Sequence, residues 1–341
     1  MTTRIALIAG LAAAACALLG SGTTRADDPP PAPSTCVLEG RAPARPDSEV
    51  HDRASGGKVV AKLTGALVPL RVSELPVDPQ QGRVRLTTAG GAGGGHVRIE
   101  GYAPLSAVET FAARDLPVRG QALWITMGQR LRIVEAKGAS LTVEHAIMGS
   151  RGQALRTTVG CDAVVLVPPH ADEASPAANA RGWEMRTNKL ELFDGPSGAV
   201  VFALELEEDA RKLFYASEGR SGFVRVQGRG DITIDAWARA SDLNPLKPGE
   251  LFDTSLPEPR QLVAKSLALE GAPAAITVPT EVPVYARPEN GEPIGYVEAG
   301  ARVFPMDRGG AWLNVYPEGL GVMPPDGGGG FWIRASSLPQ P

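Results

Sequence analysis

Apolar and polar residues alternate with a period of two over short stretches of this chain, and the alternation breaks repeatedly at Gly, Pro, Ser or Asn. RVRL (from Arg83), LTVEHAI (from Leu141), GFVRVQ (from Gly222) and AWLNVYP (from Ala311) each read as one strand. Each is followed by a Gly-bearing turn and a second strand: HVRIEGY, ALRTTVG, DITIDAW and FWIRA. The pattern predicts four β-hairpins. Two end alike, in WARASDL (Trp237 to Leu243) and WIRASSL (Trp332 to Leu338). YAPLSAV and GCDAVVL close the other two, placing Tyr102 and Gly160 at the Trp position and Val108 and Leu166 at the final Leu. A short strand, a turn, an apolar strand and a third strand precede each hairpin. The predicted units are 46–108, 115–166, 184–243 and 276–338, the second being the least complete. Residues 167–183 and 244–275 read as Pro/Ala-rich linkers, with a short helix near RQLVAKSLALEG in the second. Residues 27–45 read as a Pro-rich tail whose first part is a disordered spacer.

The order LFDGPSG, apolar strand, turn, GFVRV, turn, AWARASDL resembles the bacterial SH3-like domain family. Its members tend to open on L-x-V-R-x-G-P-S and close on G-W-V-x-x-x-x-L. Leu192 to Ser197 match the opening, and Gly330 to Ile333 with Leu338 match the closing. The resemblance implies an all-β chain of tandem small SH3-like β-barrels joined by Pro/Ala-rich linkers. In such barrels, Trp237 and Trp332 are expected as core anchors, with Arg239 and Arg334 projecting to solvent. The Arg of the opening motif is replaced by His51, Phe193 and Tyr285, and is kept in the second unit as Arg119.

Composition supports many short elements: 40 Gly and 30 Pro make up about a fifth of 341 residues. The N-terminus adds a location. Arg4 precedes an Ala/Leu-rich run from Ile5, then small residues, then the polar Pro-rich stretch, which is the layout of a signal peptide over residues 1–26 with cleavage near Ala26. An uncleaved anchor is the other reading, and a lipoprotein acylated at Cys16 ranks below both because the residues before it are Ala rather than Leu-led. No later segment is apolar enough over sufficient length to span a bilayer. Loss of Arg4 and Arg25 takes the formal charge from -4 to -6, which gives no general attraction for nucleic acid. Two cysteines then remain, Cys36 and Cys161. In an exported protein such a pair most simply forms a disulfide, although spacing carries no information on their distance.

Candidate chemistry is sparse. His51, His96, His145 and His170 show no metal-ligand spacing, so neither a metal nor a cofactor is expected. Cys161, beside Asp162 and across a hairpin from His145, is a thiol-nucleophile candidate, but it lies in what reads as a plain strand and has Cys36 as a disulfide partner. The glycine clusters at 89–95 and 326–330 lead into strands rather than a helix, so they read as hairpin loops and not phosphate cradles. The aromatic residues are more informative. Trp312 and Tyr316 lie at even spacing on one strand and so share a face, and with Tyr285 and Phe331 they form the candidate ligand-binding strip. Phe214-Tyr215 is a comparable feature of the third unit. The expected function is an exported, non-catalytic binding protein whose partner is a cell-wall peptide or glycan, or an envelope protein. The alternative is a scaffold whose barrels dock one another or a protein partner.

Overall fold

The computed structural model describes residues 34–65, 67–88, 97–170, 180–247, 273–288, 291–317, 321–326 and 330–338. The expected signal segment, the glycine loops at 89–95 and 327–329, His96, most of both linkers and the short helix near 260–271 lie outside them. The chain is all-β. The helical elements among the described residues are four single 3-10 turns.

The four units share one strand plan. The first has β1 (Leu38–Pro43), β2 (Glu49–His51), β3 (Val59–Leu63), β4 (Leu67–Ser73), β5 (Arg83–Thr88), β6 (Val97–Pro104) and the turn Leu105–Ala107. The second has β7 (Thr110–Ala112), β8 (Leu116–Arg119), β9 (Leu123–Ile125), β10 (Arg130–Lys137), β11 (Ser140–Ala146), β12 (Ala154–Gly160), the turn Cys161–Ala163 and β13 (Val164–Val165). The third has β14 (Arg181–Met185), β15 (Lys189–Phe193), β16 (Val200–Glu205), β17 (Leu213–Arg220), β18 (Phe223–Arg229), β19 (Ile232–Arg239), the turn Ala240–Asp242 and β20 (Leu243–Pro245). The fourth has β21 (Ile276–Thr277), β22 (Val282–Val284), β23 (Gly295–Val297), β24 (Arg302–Gly309), β25 (Trp312–Pro317), β26 (Val322–Met323), β27 (Phe331–Arg334) and the turn Ala335–Ser337.

Strand order is the same wherever it can be followed: β3-β2-β6-β5-β4-β1 in the first unit and β16-β15-β19-β18-β17-β14-β20 in the third. The first and second units therefore begin one strand earlier than the sequence pattern suggests and the third begins three residues earlier, because β1, β7 and β14 pair with the long strands β4, β10 and β17; β21, at the expected start of the fourth, pairs with β24 in the same way. This also corrects the tail: β1 is an integral strand, and Ser34 and Thr35 are hydrogen-bonded into the body at Leu75 and Gly138. In the second unit the 3-10 turn starts at Cys161, so Thr158 and Val164 stand where Trp237 and Leu243 stand in the third, two residues before the expected Gly160 and Leu166.

Alternation decides what is inside. β19 buries Ile232, Ile234, Ala236 and Ala238 in sequence, and β11 buries Leu141, Val143 and His145. Bulges in β10, β17 and β24 shift the register, which bends the longest strands.

Among the described residues, strand pairing closes none of the units into a ring; the strand edges that closure needs are used between units. β23 of the fourth unit pairs with β6 of the first, Gly295 opposite Ile99 and Val297 opposite Val97. In return β26 pairs with β3. The second and third units repeat this exchange: β9 pairs with β19, Leu123 opposite Ile234 and Ile125 opposite Ile232. Residues 149–153 run along β16, where the Gln153 amide donates to the Ala203 carbonyl (2.8 Å) and accepts from the Glu205 N–H (2.8 Å). The pairing is nested, first with fourth around second with third. The first and second units are also joined: Gln80 donates to the Ile133 carbonyl (2.6 Å), and Cys36 and Cys161 form a disulfide.

Candidate functional site

One corner of each unit recurs with different chemistry. It is built by the residue following or ending the opening strand, the first residue of the strand after the hairpin turn, and the last residue before the 3-10 turn. In the fourth unit these are Tyr285, Trp312 and Arg334; in the third they are Phe193, Phe223 and Arg239. Backbone register fixes the equivalence. Tyr285 pairs with Trp332 as Phe193 pairs with Trp237, and Trp312 lies opposite Arg334 as Phe223 lies opposite Arg239.

In the fourth unit Tyr285 meets Trp312 edge to face, with centroids 5.0 Å apart, and the Arg334 guanidinium lies 5.0 Å from the Trp312 centroid. Trp332 is half-buried on the same outer face, its ring 3.5 Å from where a Cβ of Gly309, the residue opposite Trp312, would stand. Three aromatic rings and one cation thus share one outer surface. Among the described residues no carboxylate pairs with Arg334.

The third unit has the same arrangement with one addition. Phe193 and Phe223 meet edge to face at 5.3 Å, and Arg239 lies 4.8 Å from the Phe193 centroid. Here Glu191, two residues before Phe193, holds Arg239 at 2.8 Å. Pro283 stands at the corresponding position of the fourth unit, two residues before Tyr285.

The other two corners are filled. In the first unit His51 and Arg83 take the aromatic positions; Arg83 donates to the carbonyls of Arg53 (3.2 Å) and Gly56. Burial, and then the Arg83 charge, lower the pKa of His51 and so favour its neutral form. In the second unit Arg119 ends the opening strand, Ser140 and Gly160 replace the second ring and the arginine before the 3-10 turn, and a stretch of the chain itself lies there. Thr35 N–H donates to the Gly138 carbonyl at the hairpin turn (2.9 Å), the Ser34 hydroxyl donates to the same carbonyl (2.6 Å), and Cys36 is bonded to Cys161.

Set against the expected strip, the structure brings Tyr285 and Trp312 together and leaves Phe331 out: it is 1% exposed and belongs to the core, because the alternation of β27 turns Phe331 and Ile333 inward. Tyr316 pairs with Phe304, about 13 Å along the strand from Trp312. Phe214, fully buried, is likewise core. Trp237 and Trp332 are not core anchors; Ala236 and Ala238, or Phe331 and Ile333, occupy the inner face, and the Trp rings lie half-buried outside. Arg239 and Arg334 are exposed, as expected, and each also lies over a ring. The sequence signal for Trp332 and Arg334 was the parity of FWIR, which sets both opposite Phe331.

A cleft of about 830 Å³ lies over β1, β4, β5 and β6 beside residues 34–37. Its charges are mutually satisfied: Arg85 bridges Glu74 (2.9 Å) and Glu100 (3.1 Å), and Arg71 pairs with Glu39 (2.7 Å). Among the described residues no group of His, Cys, Asp and Glu is arranged to hold a metal ion. Cys161, disulfide-bonded, has no free thiol, and it opens a 3-10 turn rather than lying in a plain strand. No protein-family model, curated protein or solved structure matches the chain.

Proposed function

We propose that this chain is an exported, non-catalytic binding protein of four SH3-like units whose fourth unit contacts a cell-wall peptide or another envelope ligand. The observation that carries this reading is the outer face of Tyr285, Trp312, Trp332 and Arg334, an aromatic surface with a cation that no carboxylate among the described residues neutralises. Such a surface offers flat apolar contact at low entropic cost together with one polar anchor, the combination enriched at binding hot spots. Export is supported by the N-terminal pattern and by the Cys36–Cys161 disulfide, a bond that persists in oxidising compartments. The test is co-sedimentation of the mature chain with purified cell-wall sacculi. Wild type should pellet, and Tyr285→Ala with Trp312→Ala should stay in solution while still unfolding in one cooperative transition above the assay temperature. Wild type that stays in solution at every salt concentration removes the wall-binding reading.

A second reading has its own observation. The exchanged strands between first and fourth and between second and third units suit a scaffold whose barrels dock one another. In that case the double substitution leaves all partner contacts intact.

A further inference from the structure

We propose that the Arg334 corner of the fourth unit binds a carboxylate of an extended peptide, with the apolar group next to that carboxylate lying on Trp312 and Tyr285. This rests on the binding reading above and names the chemistry of its ligand.

The other units of the chain show what this corner accommodates. The third unit shows what the corner holds when it is filled from within: a carboxylate, Glu191, 2.8 Å from an arginine that is stacked on an aromatic ring. The second unit shows what else lies at that corner: a polypeptide segment, Ser34 to Cys36, bonded to the carbonyl of the hairpin turn. The fourth unit keeps the arginine and both rings, puts Pro283 where Glu191 would be, and has neither occupant among its described residues. The missing component is therefore a carboxylate, delivered on a chain that runs past the turn at Gly310. Stacking on Trp312 holds the guanidinium plane in place, so less side-chain freedom is lost when it donates to a carboxylate oxygen. The tight turn is preserved as well, since Gly310 has a positive φ of 62° and the Ala335 N–H reaches back to the Ala311 carbonyl at 2.9 Å.

A peptide carboxylate can come from a chain terminus or from an acidic side chain, and three probes separate these. The full mature chain is titrated with N-acetyl-alanyl-alanine, with its C-terminal amide, and with N-acetyl-glutamate α-amide, following the indole N–H resonances of Trp312 and Trp332. The expected result is saturable shifts with at least one of the two carboxylate probes, the better of them identifying the source, and binding weaker by tenfold or more for the amide. Arg334→Gln should bring the preferred acid down to the level of the amide. Glu191→Gln combined with Asp242→Asn, which removes both carboxylates near Arg239 (2.8 and 3.9 Å), should add a second site, read as shifts at Trp237. The inference is overturned if the amide binds as well as the acids, if neither acid shifts the indoles, or if Arg334→Gln leaves the preferred acid unaffected. Its failure is distinguishable from that of the broader reading: sacculi that pellet wild type and Arg334→Gln equally refute the carboxylate alone, whereas acid binding without sacculus binding refutes the wall ligand alone.

Discussion

Asp231, in the tight turn between β18 and β19, is 4% exposed and sits where the second and third units meet. It accepts from Lys212 Nζ at 2.8 Å and from the Met148 N–H at 2.7 Å, while His145 Nε2 stands 3.8 Å away, an ion-pair distance too long for a hydrogen bond. Burial alone raises the pKa of such a carboxyl; the neighbouring His145, the Lys212 ammonium and the Met148 amide outweigh it and hold Asp231 well below the usual carboxylate range. Lys212→Met keeps the apolar stem and removes the charge. A buried ion partner left alone costs about 3–5 kcal/mol, and the 14% exposure of the Lys212 side chain argues for the lower end of that range. Asp231→Asn costs less, because Lys212 can turn to water. The double variant should be more stable than the sum of the singles by about 1–3 kcal/mol, since neither charge is then stranded. The sign with pH follows from the lowered carboxyl: the contribution is complete above the unfolded value near ~3.9 and fades as pH falls through the lower folded value, so wild type and Lys212→Met converge in acid. Urea denaturation between pH 7 and pH 3, followed by near-UV circular dichroism, measures the losses, their coupling and the onset of the convergence. A loss under about 1 kcal/mol for Lys212→Met at pH 7, or strict additivity in the double variant, refutes the reasoning.

Three further outcomes are expected. Cys36→Ser opens a crosslink between residues 125 apart in sequence, for which loop closure gives at most about 5 kcal/mol; equal urea midpoints with and without reductant would contradict it. Gly295→Ala drives a methyl into the Arg98 carbonyl and should cost about 1–3 kcal/mol while raising hydrogen exchange on both β23 and β6; exchange unchanged on β6 would mean that the two units are not held there. Gln153→Leu strips the Ala203 carbonyl and the Glu205 N–H of their partners, with an expected loss of about 1–3 kcal/mol and faster exchange at Glu205, whereas protection retained at that amide would show the edge is covered otherwise.

The equivalence of His51, Phe193 and Tyr285, and of Tyr102, Trp237 and Trp332, was legible because each pair is tied to a fixed offset from a turn. The structure joins them as His51 to Tyr102, Phe193 to Trp237 and Tyr285 to Trp332. Facing was legible only where parity was applied to the strand itself. Applied to AWLNVYP it set Trp312 on the right side; taken from the size of the ring instead, it placed Trp237 and Trp332 in the core and Phe331 on the surface, the reverse of the burial found. The nested pairing was not legible at all. β9 and β23 are three residues long, and their partners are chosen by backbone hydrogen bonds that leave no side-chain pattern beyond the bare Gly295 needed for close approach.

That pairing bears on where a ligand can go. A strand edge exposed on each unit would be the simplest place to add a peptide, by extending the sheet. Here β3, β9, β16 and β23 are each covered from a neighbouring unit, by β26, β19, residues 149–153 and β6. Sheet extension at these four edges is therefore closed to outside partners while the body is intact. Variation is left to the outer corner beside the hairpin turn, where no strand pairing between units depends on the side chains. There the four units differ: His51 beside a hydrogen-bonded Arg83, a docked chain segment, an arginine paired with Glu191, and an arginine with rings on its flank and no carboxylate among the described residues. The strand exchange that makes the units one body is thus also the reason to look for ligand chemistry at Arg334 rather than along a sheet edge.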